Sequence, residues 1–189
     1  MKVYFGTSPR IKEQYPEEVT EIFEQIKKLG YIHTSDWIKK VDPKDFYSMN
    51  TGELEENNNR SIRDIKKADI CVFEASMPSL SVGYLVNLSL ELGKQVVVLT
   101  QNKNPSFMFG PIKSNSFNLV SYSRDTLASE LERALKKAVE GSDVRFNFFV
   151  SSKILNYLDW VAKKRMEPRS VFLRNLIEKE MKKDKEFKG

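Results

Sequence analysis

Short, almost wholly apolar runs alternate along this chain with longer stretches in which apolar residues recur three or four positions apart. KVYFG, YIHTSDW, DICVFEA, QVVVLT and FNLVSY read as strands. Between the first two, Val19, Ile22, Phe23, Ile26 and Leu29 mark one face of a helix that Gly30 stops. Further helices are predicted near 61–67, over 82–92 and near 126–140. The polar stretch 39–59, with DPKD, NTG and NNN, has turn chemistry and predicts a loop over a site or a mobile lid.

Strands that alternate with helices imply an α/β fold. The expectation is a flavodoxin- or Rossmann-like three-layer sandwich with about five parallel strands. DICVF and QVVVL carry almost no polar residue, as central parallel strands require. Ligands in such sheets bind beyond the carboxyl ends of the strands. That rule gathers Gly6–Arg10, Glu74–Ser81 and Gln101–Gly110 around one crevice.

The pattern breaks at Gly141–Ser142, which divides the chain into domains 1–141 and 142–189. After the break VRFNFFV predicts a short strand. Ile154, Leu155, Leu158, Val161 and Ala162 then form one helical stripe, and Leu173, Leu176, Ile177 and Glu180 another, separated by the MEPRS turn.

Composition narrows the chemistry. Cys71 and His33 each stand alone, so no internal disulfide, thiolate cluster or histidine-rich metal site is available, and Cys71 reads as a buried structural thiol. No metal and no cofactor are expected. The chain enters its first strand directly, and no run reaches about 18 apolar residues, which predicts a cytoplasmic protein with no membrane partner. Charge is uneven. Of 31 Lys+Arg and 26 Asp+Glu, 12 and 7 fall in 142–189, leaving 19 of each before it, so the net +5 belongs to the tail. A basic appendage on a neutral body suggests a polyanion partner, although a solvated lysine-rich face gives a similar count.

The segment EASMPSLSVGYLVNLSLELGK carries the most specific motif. Pro78, Ser79, Leu80, Val82, Gly83 and Tyr84 match a P-S-L-G-V-G-Y-E run, and KVYFGTSPR is similar to a strand followed by a Gly-Ser-x-Arg loop. On these residues the chain, over roughly 2–100, resembles the nucleoside 2-deoxyribosyltransferase superfamily, most closely its branch that hydrolyses deoxynucleoside 5′-monophosphates. The resemblance implies a glutamate nucleophile after the tyrosine, where Leu85 stands, and an assisting aspartate on the preceding helix, where Ser61 falls when Ala68–Asp69 is aligned. It also implies an aromatic hydroxyl on the first strand, which falls on Phe5, and a glycine-rich continuation that is replaced by Ile11–Lys12. A leucine cannot attack carbon or stabilise an oxocarbenium ion, and a serine supplies no charge. Neither position can act as its counterpart does.

Phosphate binding is less affected. Gly6, Ser8, Arg10, Ser79, Ser81 and Gly83 offer hydroxyls, amides and a guanidinium at a helix start, and Ser106 aligns with a family serine that reaches a neighbouring subunit's phosphate site. Glu74, at a strand end, is the best candidate for a relocated carboxylate, with Asp36, Asp42 and Asp45 available from the loop side.

RFNFFVSSKILNYLDWVAKKRMEPRSVFLRNLIEKEM resembles a ribbon-helix-helix module of the Arc/MetJ type. Such modules pair as dimers, and their paired strands enter the DNA major groove. Alternation directs Arg145, Asn147 and Phe149 outward as base-reading positions, with Phe146, Phe148 and Val150 toward the core, and Arg169 or Ser170 placed to hold a phosphate. A dimerisation hairpin that touches no nucleic acid is the plainer reading of the same segment.

The combined expectation is a homodimeric DNA-binding transcriptional regulator with a catalytically degenerate domain for a nucleotide or sugar phosphate. Its rivals are a nucleoside 5′-monophosphate N-glycosidase or deoxyribosyltransferase using a relocated carboxylate, and a structural oligomerisation protein.

Overall fold

The computed structural model describes residues 1–102, 109–141, 149–184 and 186. They form two compact units, 1–143 and 144–189. The first is built on β1 (Lys2–Gly6), β2 (Ile32–His33), β3 (Ile70–Glu74), β4 (Gln95–Thr100) and β5 (Phe117–Ser121), paired in the order β2-β1-β3-β4-β5. Every pairing is parallel, with Phe5 beside Val72, Val72 beside Val97 and Val98 beside Leu119. β3 and β4 are buried along their whole length, which their continuous apolar runs anticipated.

Alternation sends successive side chains to opposite faces and so creates two separate cores. Val3, Phe5, Ile70, Val72, Val97 and Leu99 meet α1 (Pro9–Gln14), α2 (Pro16–Lys28) and α7 (Leu127–Glu140). Tyr4, Cys71, Phe73, Val96 and Val98 meet α5 (Thr51–Lys67) and α6 (Leu80–Glu91). The result is the expected three-layer sandwich. Each fully buried aliphatic residue, such as Ile22, Ile65 or Leu131, contributes about 2 kcal/mol by leaving water. Cys71 is buried as expected, and burial pushes its thiol up to about 12.

Local chemistry sets the helix limits. α2 starts on Pro16, with Glu17 and Glu18 in its first turn and Lys27 and Lys28 in its last, in line with the helix dipole. Gly30, at φ 85°, turns the chain out of it.

The stretch 39–59 corrects the sequence expectation, because it is mostly helical: α3 (Trp37–Lys40), α4 (Pro43–Ser48) and the first half of α5 occupy it. For α5 the reason is a capping box. The Asn50 side chain accepts from the Glu53 N–H at 3.1 Å, and the Glu53 carboxylate accepts from the Asn50 N–H at 2.9 Å. This start propagates the helix through the asparagine run to Ser61 and beyond.

The second unit is a helical hairpin of α8 (Ser152–Arg165) and α9 (Arg169–Met181), with Met166 in the left-handed region at φ 52° between them. Leu158, Val161 and Phe172 are buried, with Leu173 packed against them. Ile154, Leu155, Leu176 and Ile177, expected within the stripes, are exposed. Among the described residues no helix is long and apolar enough to cross a membrane.

Candidate functional site

At the carboxyl end of the sheet a crevice of about 260 Å³ opens between β1, α5 and α6. Tyr4, Gly6 and Thr7 form its floor, Ser61 and Asn57 its α5 wall, Ser81 and Leu85 its α6 wall, and Trp37 and Phe46 its rim. The two rim rings meet edge to face, 6.1 Å apart.

Tyr4 is the floor's most distinctive group. Its ring packs on Phe73 at 5.8 Å, and its hydroxyl shares a hydrogen bond with Ser61. Burial pushes the phenol up to about 12, opposed by that hydrogen bond, with the charge of Asp64 on the same helix raising it further. The Tyr4 hydroxyl is therefore a neutral donor at physiological pH. Gly6 makes room for it, since a Cβ there would stand 2.8 Å from the Tyr4 ring and 3.1 Å from its oxygen.

This arrangement revises one expectation and sharpens two. Phe5, on which the aromatic hydroxyl falls by resemblance, carries none, but its neighbour Tyr4 does. Phe5 faces the α2/α7 core, whereas Tyr4, one residue earlier, directs its hydroxyl toward the crevice. Leu85, which the resemblance sets at the nucleophile position, and Ser61, which it sets at the helper position, line one cavity with it. Leu85 is 9% exposed and packs into the α6 core beneath the wall.

The phosphate candidates are spread more widely. Gly6 and Ser81 line the crevice. Ser8 is buried as the cap of α1, accepting from the Ile11 N–H at 3.3 Å, and Arg10 is exposed on that helix. Ser79 caps α6, accepting from the Val82 N–H at 3.4 Å, and its hydroxyl lies 3.1 Å from that of Ser81; Gly83 follows in the next turn. Ser106 lies outside the described residues.

No carboxylate lines the cavity among the described residues. Glu74 shares the sheet face of Ile70 and Val72, across from Tyr4 and Leu85, and its carboxylate is committed to Ser76 and Tyr122. Its place in the pleat corrects its candidacy as a relocated nucleophile. Asp36 pairs with Lys40 at 2.6 Å, and Asp42 caps α4, accepting from the Lys44 N–H at 2.8 Å. Asp45 lies in the first turn of α4, with no place in the crevice lining.

Trp37, Phe46, Asn57 and Asn58 belong to the crevice and were missed in the sequence because Trp37 ends a run that reads as a strand and the other three fall in a segment that reads as a loop. The signal that finds Asn57 and Asn58 is Asn50 with Glu53 three residues on, ahead of the periodic Leu54, Ser61 and Ile65.

In the tail, Arg145 and Asn147 lie outside the described residues. Phe149 is fully exposed and Val150 partly so. Arg169, expected to hold a phosphate, is ion-paired with Asp159, and Ser170 lies exposed in the first turn of α9.

No family model matches the chain. It is 30% identical over 148 residues to a protein of Thermofilum pendens (strain DSM 2475 / Hrk 5) named "Putative 2′-deoxynucleoside 5′-phosphate N-hydrolase 1", across 74% of this chain and 99% of that protein. Two solved structures also align. One is a CMP N-glycosidase of Clostridium botulinum, BcmB, with TM-score 0.49 and 14% identity over 72% of this chain and 98% of that one. The other is a de novo designed Rossmann 2x3 fold protein, with TM-score 0.43 and 16% identity over 79% of this chain and 98% of that one.

The N-hydrolase relative overturns the DNA-binding transcriptional regulator expected from the tail. Its likeness extends over its own whole length, so the similarity rests on a hydrolase-type domain and not on a nucleic-acid-binding one. At Arg169 part of the tail's basic charge is already neutralised within the hairpin. At this identity and coverage, the chain belongs to the 2′-deoxynucleoside 5′-phosphate N-hydrolase family.

Proposed function

We propose that residues 1–141 bind a nucleoside 5′-monophosphate in the Tyr4–Ser61–Leu85 crevice and hydrolyse its N-glycosidic bond. The observation that carries the reading is family membership across 99% of the relative, and Tyr4, Ser61 and Leu85 lining one cavity support it. Ser79, Ser81 and the first amides of α6 suit a phosphate, and the apolar rim of Trp37 and Phe46 suits a base.

The residues present also constrain the route. Leu85 cannot form a glycosyl ester, which leaves direct attack of water on the anomeric carbon as the base departs. Tyr4 and Ser61 offer hydroxyls to orient that water or the sugar, but no charge to stabilise the oxocarbenium ion. Turnover is slow on this account. Chromatography of deoxynucleoside 5′-monophosphates after long incubation with stoichiometric protein tests it: free base and sugar phosphate support the reading, and intact nucleotide contradicts it.

Leu85 and Ser61 favour a second reading, in which the crevice holds the nucleotide without cleaving it. Thermal stabilisation by nucleotide with no base released would select this one.

For the tail we propose pairing with a second copy of the chain. Among its described residues Leu158, Val161 and Phe172 are buried, while Tyr157, Trp160, Leu176 and Ile177 stay exposed, which is too little core for a stable hairpin of this size. Light scattering should give a dimer that Leu176→Glu with Ile177→Glu dissociates; a monomeric wild type would refute it.

A further inference from the structure

Glu74, excluded from the crevice by the pleat, is 1% exposed. An isolated carboxylate in that setting is costly, and its surroundings show what offsets the cost. Three donors converge on it. The Ser76 backbone N–H lies 3.2 Å from each oxygen, the Ser76 hydroxyl donates to Oε1, and the Tyr122 hydroxyl donates to Oε1 at 3.0 Å. A second ring of bonds holds those partners. The Gln101 backbone N–H donates to the Ser76 hydroxyl oxygen at 2.8 Å, and the Gln101 side chain donates to the Tyr122 oxygen at 3.3 Å. The Thr7 hydroxyl donates to the Glu74 carbonyl at 3.1 Å. The carboxylate thus ties together the carboxyl ends of β3, β4 and β5, and the backbone carbonyl of the same residue holds Thr7 after β1.

Its nearest consequence lies in the crevice. Only Met77 and Pro78 separate Ser76 from Ser79, the cap of α6, and the next two turns of that helix deliver Ser81 and Leu85 to the cavity wall.

We propose that Glu74 is the positioning residue of the crevice: its carboxylate fixes Ser76, and through Met77 and Pro78 the start of α6, so that Ser79, Ser81 and Leu85 keep their places opposite Tyr4 and Ser61. The inference rests on the nucleotide reading for its ligand, whereas its mechanical part concerns the fold alone. Protonation turns one carboxylate oxygen into an O–H donor, which the Ser76 backbone N–H shared between both oxygens cannot accept, and so loosens the Ser76 clamp. The groups facing Glu74 are Ser76 from its own loop, Tyr122 at the end of β5, Gln101 after β4, Thr7 after β1 and, by its charge, Glu18 of α2. Burial moves the carboxyl above its ordinary range, with the Ser76 and Tyr122 hydrogen bonds opposing and the Glu18 charge adding, so the loosening sets in at a higher pH than for an ordinary carboxylate.

The test is hydrogen–deuterium exchange on the full chain, with nucleotide affinity measured for the common 2′-deoxynucleoside 5′-monophosphates. In Glu74→Gln, peptides spanning 75–84 should exchange about tenfold faster, affinity should fall about tenfold, and the α2 and α7 peptides should be unchanged. Protection of wild-type 75–84, taken relative to the intrinsic rate at each pH, should fall on acidification, and the variant should show no such extra step. Tyr122→Phe keeps the charge and removes one donor. It should give a smaller effect of the same kind, and it serves if Glu74→Gln fails to fold. Unchanged exchange and affinity in the variants would overturn the proposal while leaving nucleotide binding intact. Faster exchange in a protein whose wild type binds no nucleotide would uphold the clamp and remove the nucleotide reading.

Discussion

Gly6 lies so close to Tyr4 that any side chain at position 6 would collide with the ring, the added Cβ standing 2.8 Å from a ring carbon and 3.3 Å from Phe73. The crevice floor is therefore set by a missing side chain on β1. Gly6→Ala should cost about 1–3 kcal/mol by overpacking and should weaken nucleotide affinity, because the displaced Tyr4 can no longer meet Ser61. Urea unfolding and calorimetric titration check both effects.

Installing the carboxylates that the family pattern implies is a direct test of which cavity is the site. Leu85→Glu combined with Ser61→Asp should raise base release about a hundredfold over wild type. It should also lower stability by about 1–3 kcal/mol, since Leu85 is nearly buried. No gain in a folded double variant would place the chemistry elsewhere.

Glu74 makes a signed prediction for stability. Its folded pKa lies above the ordinary 4.5, so across that interval the native state binds more protons than the unfolded state. Stability then falls as pH rises from about 4.5 through the raised value, and levels off above it. Urea midpoints from pH 4 to pH 8 should show this slope in wild type relative to Glu74→Gln. A rising difference, or none, would contradict the assignment.

Asn50 holds the start of the helix that carries Asn57 and Ser61. Asn50→Ala should cost about 1 kcal/mol and should loosen the α5 wall more than the α6 wall. Exchange of peptides over 51–61 against 80–91 would reveal the difference.

The sheet was legible because its central strands carry almost nothing but apolar residues: in DICVF and QVVVLT no helical period competes. Ser61 and Leu85, singled out by the motif, line one cavity in the fold. Two readings failed for local physical reasons. In the 39–59 stretch the turn-forming Asn, Asp and Gly residues concealed a helix whose strength lies in one reciprocal cap and in tertiary packing of Ile62 and Ile65. On β1, strand alternation pairs Tyr4 with Gly6 and sets Phe5 on the other face, a two-residue period that the motif match by resemblance passed over.

The tail shows how charge misleads. Its basic excess suggested DNA, yet Arg169 is engaged by Asp159, and Lys164 sits 4.6 Å over the Trp160 ring. Such contacts use cations within the hairpin and do not require a polyanion.

The central claim is that the Tyr4–Ser61–Leu85 crevice accepts a nucleoside 5′-monophosphate and releases its base. Chromatographic detection of free base from each deoxynucleoside 5′-monophosphate, with wild type beside Tyr4→Phe, tests it most directly. The account predicts slow release by wild type that falls about tenfold or more in Tyr4→Phe. Intact nucleotide at saturating protein, or release that Tyr4→Phe leaves unchanged, would contradict it.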